Sequence, residues 1–396
     1  ERLADAVVPF SFLLAGLVWL VTRNPARAAS VLLVDYSCAL KLSTPLAVLA
    51  AMKEGGGRGV LVKGGRFLES LAAADAVVFD KTGTLTESRP RVAEVIPGEG
   101  YERDDILRTA ACLEEHFPHP VARAVVRKAE QEGLHHQEEH TEVEYVVAHG
   151  IASRLHGKRV LFGSRHYIHH DEGVPVDGMR EDIERLAREG RSILYLAVDG
   201  KLAGLIAIED PLRPEAAPVI RKLLGRGIRV VMLTGDDERT AAAVAERLGI
   251  SEYRSQVLPT DKAEVIRSLQ AEGHTVAMLG DGINDSPALS AADVGVTLSD
   301  GADLAREVAD VVLTECRLDG LVTAVDLSKA AMRRIRTDFG LIMTLNTVFL
   351  ASGLAGFLQP GPSALLHNLT TVGVSLNAMR PMLKAGAEPQ LEEVSA

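Results

Sequence analysis

Cysteine is scarce: Cys38, Cys112 and Cys316 are the only three in 396 residues, and their wide spacing rules out a disulfide framework and a Cys-x-x-Cys metal site. Positive charge is also short. The formal net charge is −11, carried mostly outside the apolar segments, which leaves no basic patch for nucleic acid and fits a solvated cytosolic surface. The glycine cluster Gly55–Gly59 has no strand before it and no Gly-Lys-Ser/Thr after it, so it reads as a flexible exit from the preceding segment rather than a phosphate loop. No internal repeat is evident. No signal-peptide pattern opens the chain at Glu1, which reads as a fragment.

Apolar residues are plentiful but unevenly placed. A composition of 47% hydrophobic and 24% charged residues is ordinary for a soluble chain, and the length suggests two soluble domains plus something further. That remainder is four apolar segments, Val7–Val21, Ala28–Met52, Phe339–Leu358 and Pro362–Met379. Each is near the ~20 residues that cross a bilayer as a helix. Lys53, Arg58, Lys63 and Arg66 follow the second segment, Arg333, Arg334 and Arg336 precede the third, and Arg380 and Lys384 follow the fourth. Positive flanks favour the cytoplasmic side, so Gly55–Asp338 is expected there; Arg23 and Arg27 run against the rule. The expectation is an integral membrane protein, in contact with a lipid bilayer, with cytoplasmic soluble domains.

Between Asp75 and Cys316, short β-branched runs alternate with amphipathic helical stretches. Ala76–Phe79, Ile228–Leu233, Thr275–Leu279 and Val294–Val296 read as buried parallel strands of an α/β domain. The first three end in the polar turns DKTGTLT, TGDD and GDGIND, and turns at the carboxyl ends of such strands converge on one site. Arg91–Leu202 differs. A helix around Asp104–Gln131 precedes the strand-like runs Val143–Ala148, Ala152–Leu155, Arg159–Phe162 and Ile193–Val198, which suggests an inserted α+β domain.

An aspartate at a strand end, Asp80, is placed to attack the γ-phosphate of ATP and hold an aspartyl-phosphate. Gly83 permits a tight turn whose backbone N–H groups bind phosphate oxygens. Lys262 neutralises phosphoryl charge, Asp281 and Asp285 suit Mg²⁺, and Asn284 and Thr234 complete a polar cradle.

The motifs Asp80-Lys81-Thr82-Gly83-Thr84-Leu85-Thr86, Thr234-Gly235-Asp236, Pro259-Thr260-Asp261-Lys262 and Gly280-Asp281-Gly282-Ile283-Asn284-Asp285 resemble, in residue and order, heavy-metal P-type ATPases of the haloacid-dehalogenase superfamily. The resemblance covers essentially the whole chain. It implies a Rossmannoid phosphorylation domain (55–90 and 205–330), an inserted nucleotide-binding domain (91–204), two transmembrane helices at each end (1–54, 331–384) and a tail (385–396). It implies ATP and Mg²⁺ as cofactors, with Asp80, Thr82 and Asp281 holding the Mg²⁺, and a bacterial cell membrane as location. Soluble phosphatases of the superfamily carry a second aspartate two residues after the nucleophile; Thr82 stands there, so a phosphoenzyme should persist. No Thr-Gly-Glu motif of an actuator domain is present. Glu115, His119-Pro120, Gly150 and Gly163 match the family's nucleotide-binding elements, with Phe117-Pro118 and Ala148-His149 departing from its pattern. Asp210-Pro211-Leu212-Arg213 matches the family where the chain returns to the phosphorylation domain, and reads equally as a turn and hinge.

For the transported ion, the family's Cys-Pro-Cys segment appears as Tyr36-Ser37-Cys38, near Asp35 and Lys41. Asp35, Ser37, Cys38, His367, Asn368 and Thr371 are the candidate ligands, and intramembrane ionisable groups are functional by default. One thiolate, one imidazole and oxygen donors suit Zn²⁺, Co²⁺, Ni²⁺, Mn²⁺ or Fe²⁺ better than Cu(I). The histidines His135, His136, His140, His166, His169 and His170 read as a solvated surface. A pump for another cation, a membrane-anchored phosphatase and a non-catalytic regulatory partner stand as alternatives.

Overall fold

The computed structural model describes residues 2–34, 36–87, 89–115, 120–134, 140–146, 150–280, 285–299 and 303–383. The chain divides into two compact units, residues 1–73, 310–315 and 319–396 in one, and 74–309 with 316–318 in the other.

The first unit begins with helices α1 (Arg2–Thr22), α2 (Pro25–Leu33) and α3 (Tyr36–Gly56), strand β1 (Val60–Val62) and helix α4 (Gly65–Ala73). Asn24 starts α2 by accepting the Ala26 N–H on Oδ1 at 2.9 Å, with Pro25 at the first helical position. The segment expected as one helix, Ala28–Met52, is therefore two, separated after Leu33 where Val34 leaves helical geometry. The glycine cluster forms the turn that ends α3, with the Arg58 N–H donating to Gly55 O at 2.8 Å.

In the second unit, β2 (Ala76–Asp80) is buried along its whole length. The chain then builds β3 (Arg91–Pro97), α5 (Arg103–Glu114), α6 (Pro120–Gln131), β4 (His140–Val146), β5 (Gly150–Leu155), β6 (Lys158–Gly163), α7 (Arg180–Arg188), β7 (Ser192–Val198) and β8 (Lys201–Glu209). These strands form an antiparallel six-stranded sheet in the order β3-β8-β7-β6-β5-β4. The single helix expected at Asp104–Gln131 is instead α5 and α6. Pro120 opens α6, where its missing N–H costs no hydrogen bond, and within one continuous helix it would break the ladder. Strand β8 pairs with β3 and β7, so this sheet runs past residue 204 to Glu209.

The chain returns through α8 (Ala216–Leu224), β9 (Arg229–Leu233), α9 (Glu238–Leu248), β10 (Glu252–Arg254), α10 (Lys262–Ala271), β11 (Val276–Leu279), α11 (Ser286–Ala291), β12 (Val294–Leu298) and α12 (Asp303–Val308). Within this unit the parallel strands run β12-β11-β2-β9-β10. Their core of Ala76, Val78, Val231, Leu233, Val276 and Met278 packs against Ile266 and Leu269 of α10 and Ala288 and Leu289 of α11. The three strands whose turns were expected to converge, β11, β2 and β9, are direct neighbours.

The first unit closes with β13 (Val311–Leu313), antiparallel to β1, and helices α13 (Asp319–Ala355) and α14 (Pro360–Ala378). By length and composition the stretches Pro25–Gly56 and Asp319–Ala355 are long and apolar enough to cross a membrane, while Phe12–Thr22 is a shorter apolar helix. Polar side chains join α13 to α14. Asn377 Nδ2 donates to Asp338 Oδ1 at 2.7 Å, and Asn346 Oδ1 lies 3.4 Å from His367 Nδ1.

Candidate active site

Asp80 is the last residue of β2, the strand flanked by β11 and β9, and its side chain is nearly buried. Lys262, first residue of α10, reaches it across the strand ends: Nζ lies 2.7 Å from Asp80 Oδ1 and 2.6 Å from Asp285 Oδ1. One ammonium thus bridges two buried carboxylates. Burial opposes its charge, but the Asp80 and Asp285 carboxylates outweigh that and hold the Lys262 pKa above the ordinary lysine range. Gly280 allows Asp285 its close approach to the end of β11, since a Cβ on Gly280 would stand 2.8 Å from Asp285 Cβ and Oδ2.

The loop after Asp80 turns at Gly83, whose φ of 77° lies in the left-handed region. Thr86 ties the loop down, its Oγ1 accepting from the Gly83 N–H at 2.8 Å and lying 2.5 Å from Asp210 Oδ2. Arg213 donates to Thr86 O at 3.0 Å and Gly83 O at 3.3 Å, and to Cys316 O at 2.9 Å. Burial pushes the Asp210 carboxyl up, only partly offset by Thr86 and the Arg89 N–H. The Asp210–Arg213 segment therefore belongs to the support of this loop as well as to the return from the inserted sheet. Thr82 is exposed, whereas the buried Thr84 hydroxyl has no hydrogen-bond partner among the described residues.

On the opposite side, Lys81 forms an ion pair with Asp236, and Thr234 Oγ1 donates to Asp236 Oδ2 at 2.9 Å. Burial would raise the Asp236 pKa; the Lys81 charge and the converging donors reverse that and lower it. Ser192 of β7 donates to Asp236 Oδ1 at 2.7 Å. Gly235 is exposed at the end of β9. Asp281 and Asn284 lie outside the described residues. The carboxylate oxygens of Asp80 and Asp285, brought together at the strand ends, fit a hard cation such as Mg²⁺.

Of the nucleotide candidates, Gly150 and Gly163 face each other directly across β5 and β6. A Cβ on Gly150 would lie 2.4 Å from Phe162 O and 2.5 Å from Tyr167 Cδ1, so the backbone there is packed as closely as only glycine allows. Glu115 is exposed just after α5, Pro120 begins α6, and His119 lies outside the described residues. Half-buried Glu114 at the end of α5 has its carboxyl pushed up to about 7 by burial.

Of the transported-ion candidates, Asp35 lies outside the described residues, and Ser37 and Cys38 fall in the first turn of α3. His367 is buried on α14, Asn368 is exposed, and Thr371 Oγ1 donates back to His367 O at 3.1 Å. Among the described residues no three His, Cys, Asp or Glu side chains stand ready to hold one metal ion. The surface histidines His166 and His170 stack at 5.3 Å on an exposed turn.

Residues that the sequence left unmarked join these sites. Ser192 carries no local signal, being a lone serine 111 positions from Lys81. Asn346 interrupts the apolar part of α13 after Phe339, a pattern that in principle marks it, while Asp338 ends the charged stretch before that part.

Residues 74–293 match the haloacid dehalogenase-like hydrolase family. Over 383 residues the chain is 42% identical to a zinc-exporting P-type ATPase of Mycobacterium marinum, covering 96% of this chain and 52% of that protein. It is 41% identical over the same length to a manganese-exporting P-type ATPase of Mycobacterium tuberculosis, covering 96% and 53%. The chain thus spans about half the length of the curated relatives it matches. A crystal structure of a zinc-transporting PIB-type ATPase in an E2.Pi state superposes with a TM-score of 0.71 at 34% identity, covering 96% of this chain and 63% of that one.

Proposed function

Because the chain belongs to the haloacid dehalogenase-like hydrolase family, we propose that it forms the catalytic part of an ATP-driven transition-metal exporter that phosphorylates itself on Asp80. The observation that carries this reading is the bridge from Lys262 to both Asp80 and Asp285 at the carboxyl end of a central parallel strand. A carboxylate oxygen of Asp80 attacks the γ-phosphorus of ATP, the bond to the β-phosphate oxygen breaks, and ADP leaves. Lys262 offsets the charge that gathers on the phosphoryl oxygens, and Lys81, held by Asp236, supplies a second cation. Asp80, Thr82 and Asp281 would hold Mg²⁺, which when bound spreads phosphate charge. Thr82 at the second position after Asp80 offers no carboxyl for prompt hydrolysis, so the phosphoryl group stays long enough to drive a conformational step.

Glu115, His119, Pro120, Gly150 and Gly163 are assigned to the nucleotide, on the match of these residues to the family's nucleotide-binding elements. The apolar helices α1, α2 with α3, α13 and α14 are assigned to the membrane, and the soluble unit to the cytoplasm of a bacterial cell. The cargo is a borderline divalent metal, met by Asp35, Ser37, Cys38, His367, Asn368 and Thr371.

The test is acid-stable labelling of the full-length protein by γ-radiolabelled ATP with Mg²⁺ across a panel of transition metals. A hydroxylamine-sensitive label that requires one of the metals and disappears in Asp80→Asn is expected. No label with any metal would overturn the transport mechanism.

A further inference from the structure

Ser192 stands where the inserted sheet meets the phosphorylation site. It begins β7, yet its hydroxyl donates to Asp236 Oδ1 at 2.7 Å and accepts from Lys81 Nζ at 3.4 Å. The other Asp236 oxygen accepts from Thr234 Oγ1 and pairs with Lys81. A serine hydroxyl has one proton and two lone pairs, so these two contacts use it in complementary senses, the proton for the carboxylate and a lone pair for the ammonium. The Lys81 and Asp236 side chains are only 7% and 13% exposed, which leaves water little part in orienting them. Ser192 itself sits in the sheet ladder opposite Ile208 of β8, and beside it Thr240 Oγ1 of α9 donates to Arg191 O at 3.3 Å.

We infer that Ser192 is a positioning residue for phosphoryl transfer, contributed by the inserted sheet, which holds the Lys81 ammonium and the Asp236 carboxylate in the orientation that meets the incoming phosphoryl group. A lysine is a point charge on a flexible stem, so its value in a site depends on what fixes it. Thr234 and Lys81 both address Oδ2. Without the Ser192 hydroxyl the Oδ1 side of the carboxylate loses this donor, and the pair is free to turn about the remaining contacts. Misplacement of a charge-stabilising group by about 1 Å costs up to ~100-fold in rate.

The inference rests on the reading of Asp80 as the phosphorylated residue, and the experiment separates the two. Ser192→Ala and Ser192→Thr are introduced into the full-length protein, and phosphoenzyme formation is followed from saturating ATP and, in reverse, from inorganic phosphate. Nucleotide binding is measured alongside, with a fluorescent ATP analogue. Ser192→Ala is expected to slow labelling from both donors by about tenfold, the loss of one hydrogen bond to a charged group. Nucleotide affinity should stay within about twofold, and Ser192→Thr, which keeps the hydroxyl, should restore the rate. Labelling of Ser192→Ala at the wild-type rate would overturn the inference. So would a defect that Ser192→Thr fails to restore and that weakens nucleotide binding in proportion, because that is the signature of a looser inserted sheet. If Ser192→Ala does not fold, Ser192→Cys keeps the volume with a weaker donor and carries the same comparison. A wild-type protein that takes no label overturns the phosphorylation reading itself.

Discussion

At the residue scale, the chemistry is governed by where charge is buried and what answers it. Lys262 answers two carboxylates and Lys81 answers one, so the strand ends gather both signs in nearly dry surroundings. Glu114 is the contrast. Its carboxyl, pushed up to about 7 by burial, keeps its proton in the folded chain at pH values where the unfolded chain has lost it. That contribution to stability is intact below the ordinary carboxylate pKa of 4.5 and is lost as pH rises through about 7. Glu114→Gln should therefore raise the unfolding midpoint at pH 8, by the equivalent of roughly 2–3 kcal/mol, and leave it unchanged at pH 4.5. Calorimetry at the two pH values checks this, and an equal effect at both would remove the burial account.

At the scale of elements, the legible part of the fold was the part with strong local patterning. The buried runs that became β2, β9, β11 and β12 announced themselves by β-branched residues, and their polar turns marked the candidate site. The interruption between α5 and α6 was also written in the chain, as Pro118 and Pro120, but a helical period on both sides masked it. What the sequence did not reveal is long-range: β3 and β8 find each other across more than a hundred residues, and Ser192 of one sheet meets Asp236 beyond the other sheet's β9. Gly150 belongs to this scale too. Gly150→Ala places a methyl against backbone Phe162 O and should cost about 1–3 kcal/mol, since the neighbouring strand cannot yield as a side chain would. Gly178, with open space around it, should accept Ala within about 0.5 kcal/mol. Thermal unfolding of the two variants decides it, and equal melting would mean that the strands separate freely.

At the scale of the whole molecule, the chain passes between its two units at Ala73–Ala74, Ala309–Asp310, Glu315–Cys316 and Leu318–Asp319. Asp80 lies in one unit and His367 in the other. On the proposed function, His367→Ala should abolish the metal dependence of labelling by ATP while leaving phosphorylation by inorganic phosphate intact. The two labelling directions, measured in one preparation, test this. Loss of both would mean that His367 serves folding instead.

The paired contacts between α13 and α14 carry a mechanical consequence. Asp338 and Asn346 are eight positions apart on one helix, and their partners Asn377 and His367 are ten apart on the other, in the reverse order. The helices consequently run antiparallel with two teeth engaged. Sliding one along the other would disengage both teeth together and take these partners from the buried Asp338, Asn346 and His367. Held at two points rather than one, the pair is pinned against gradual sliding.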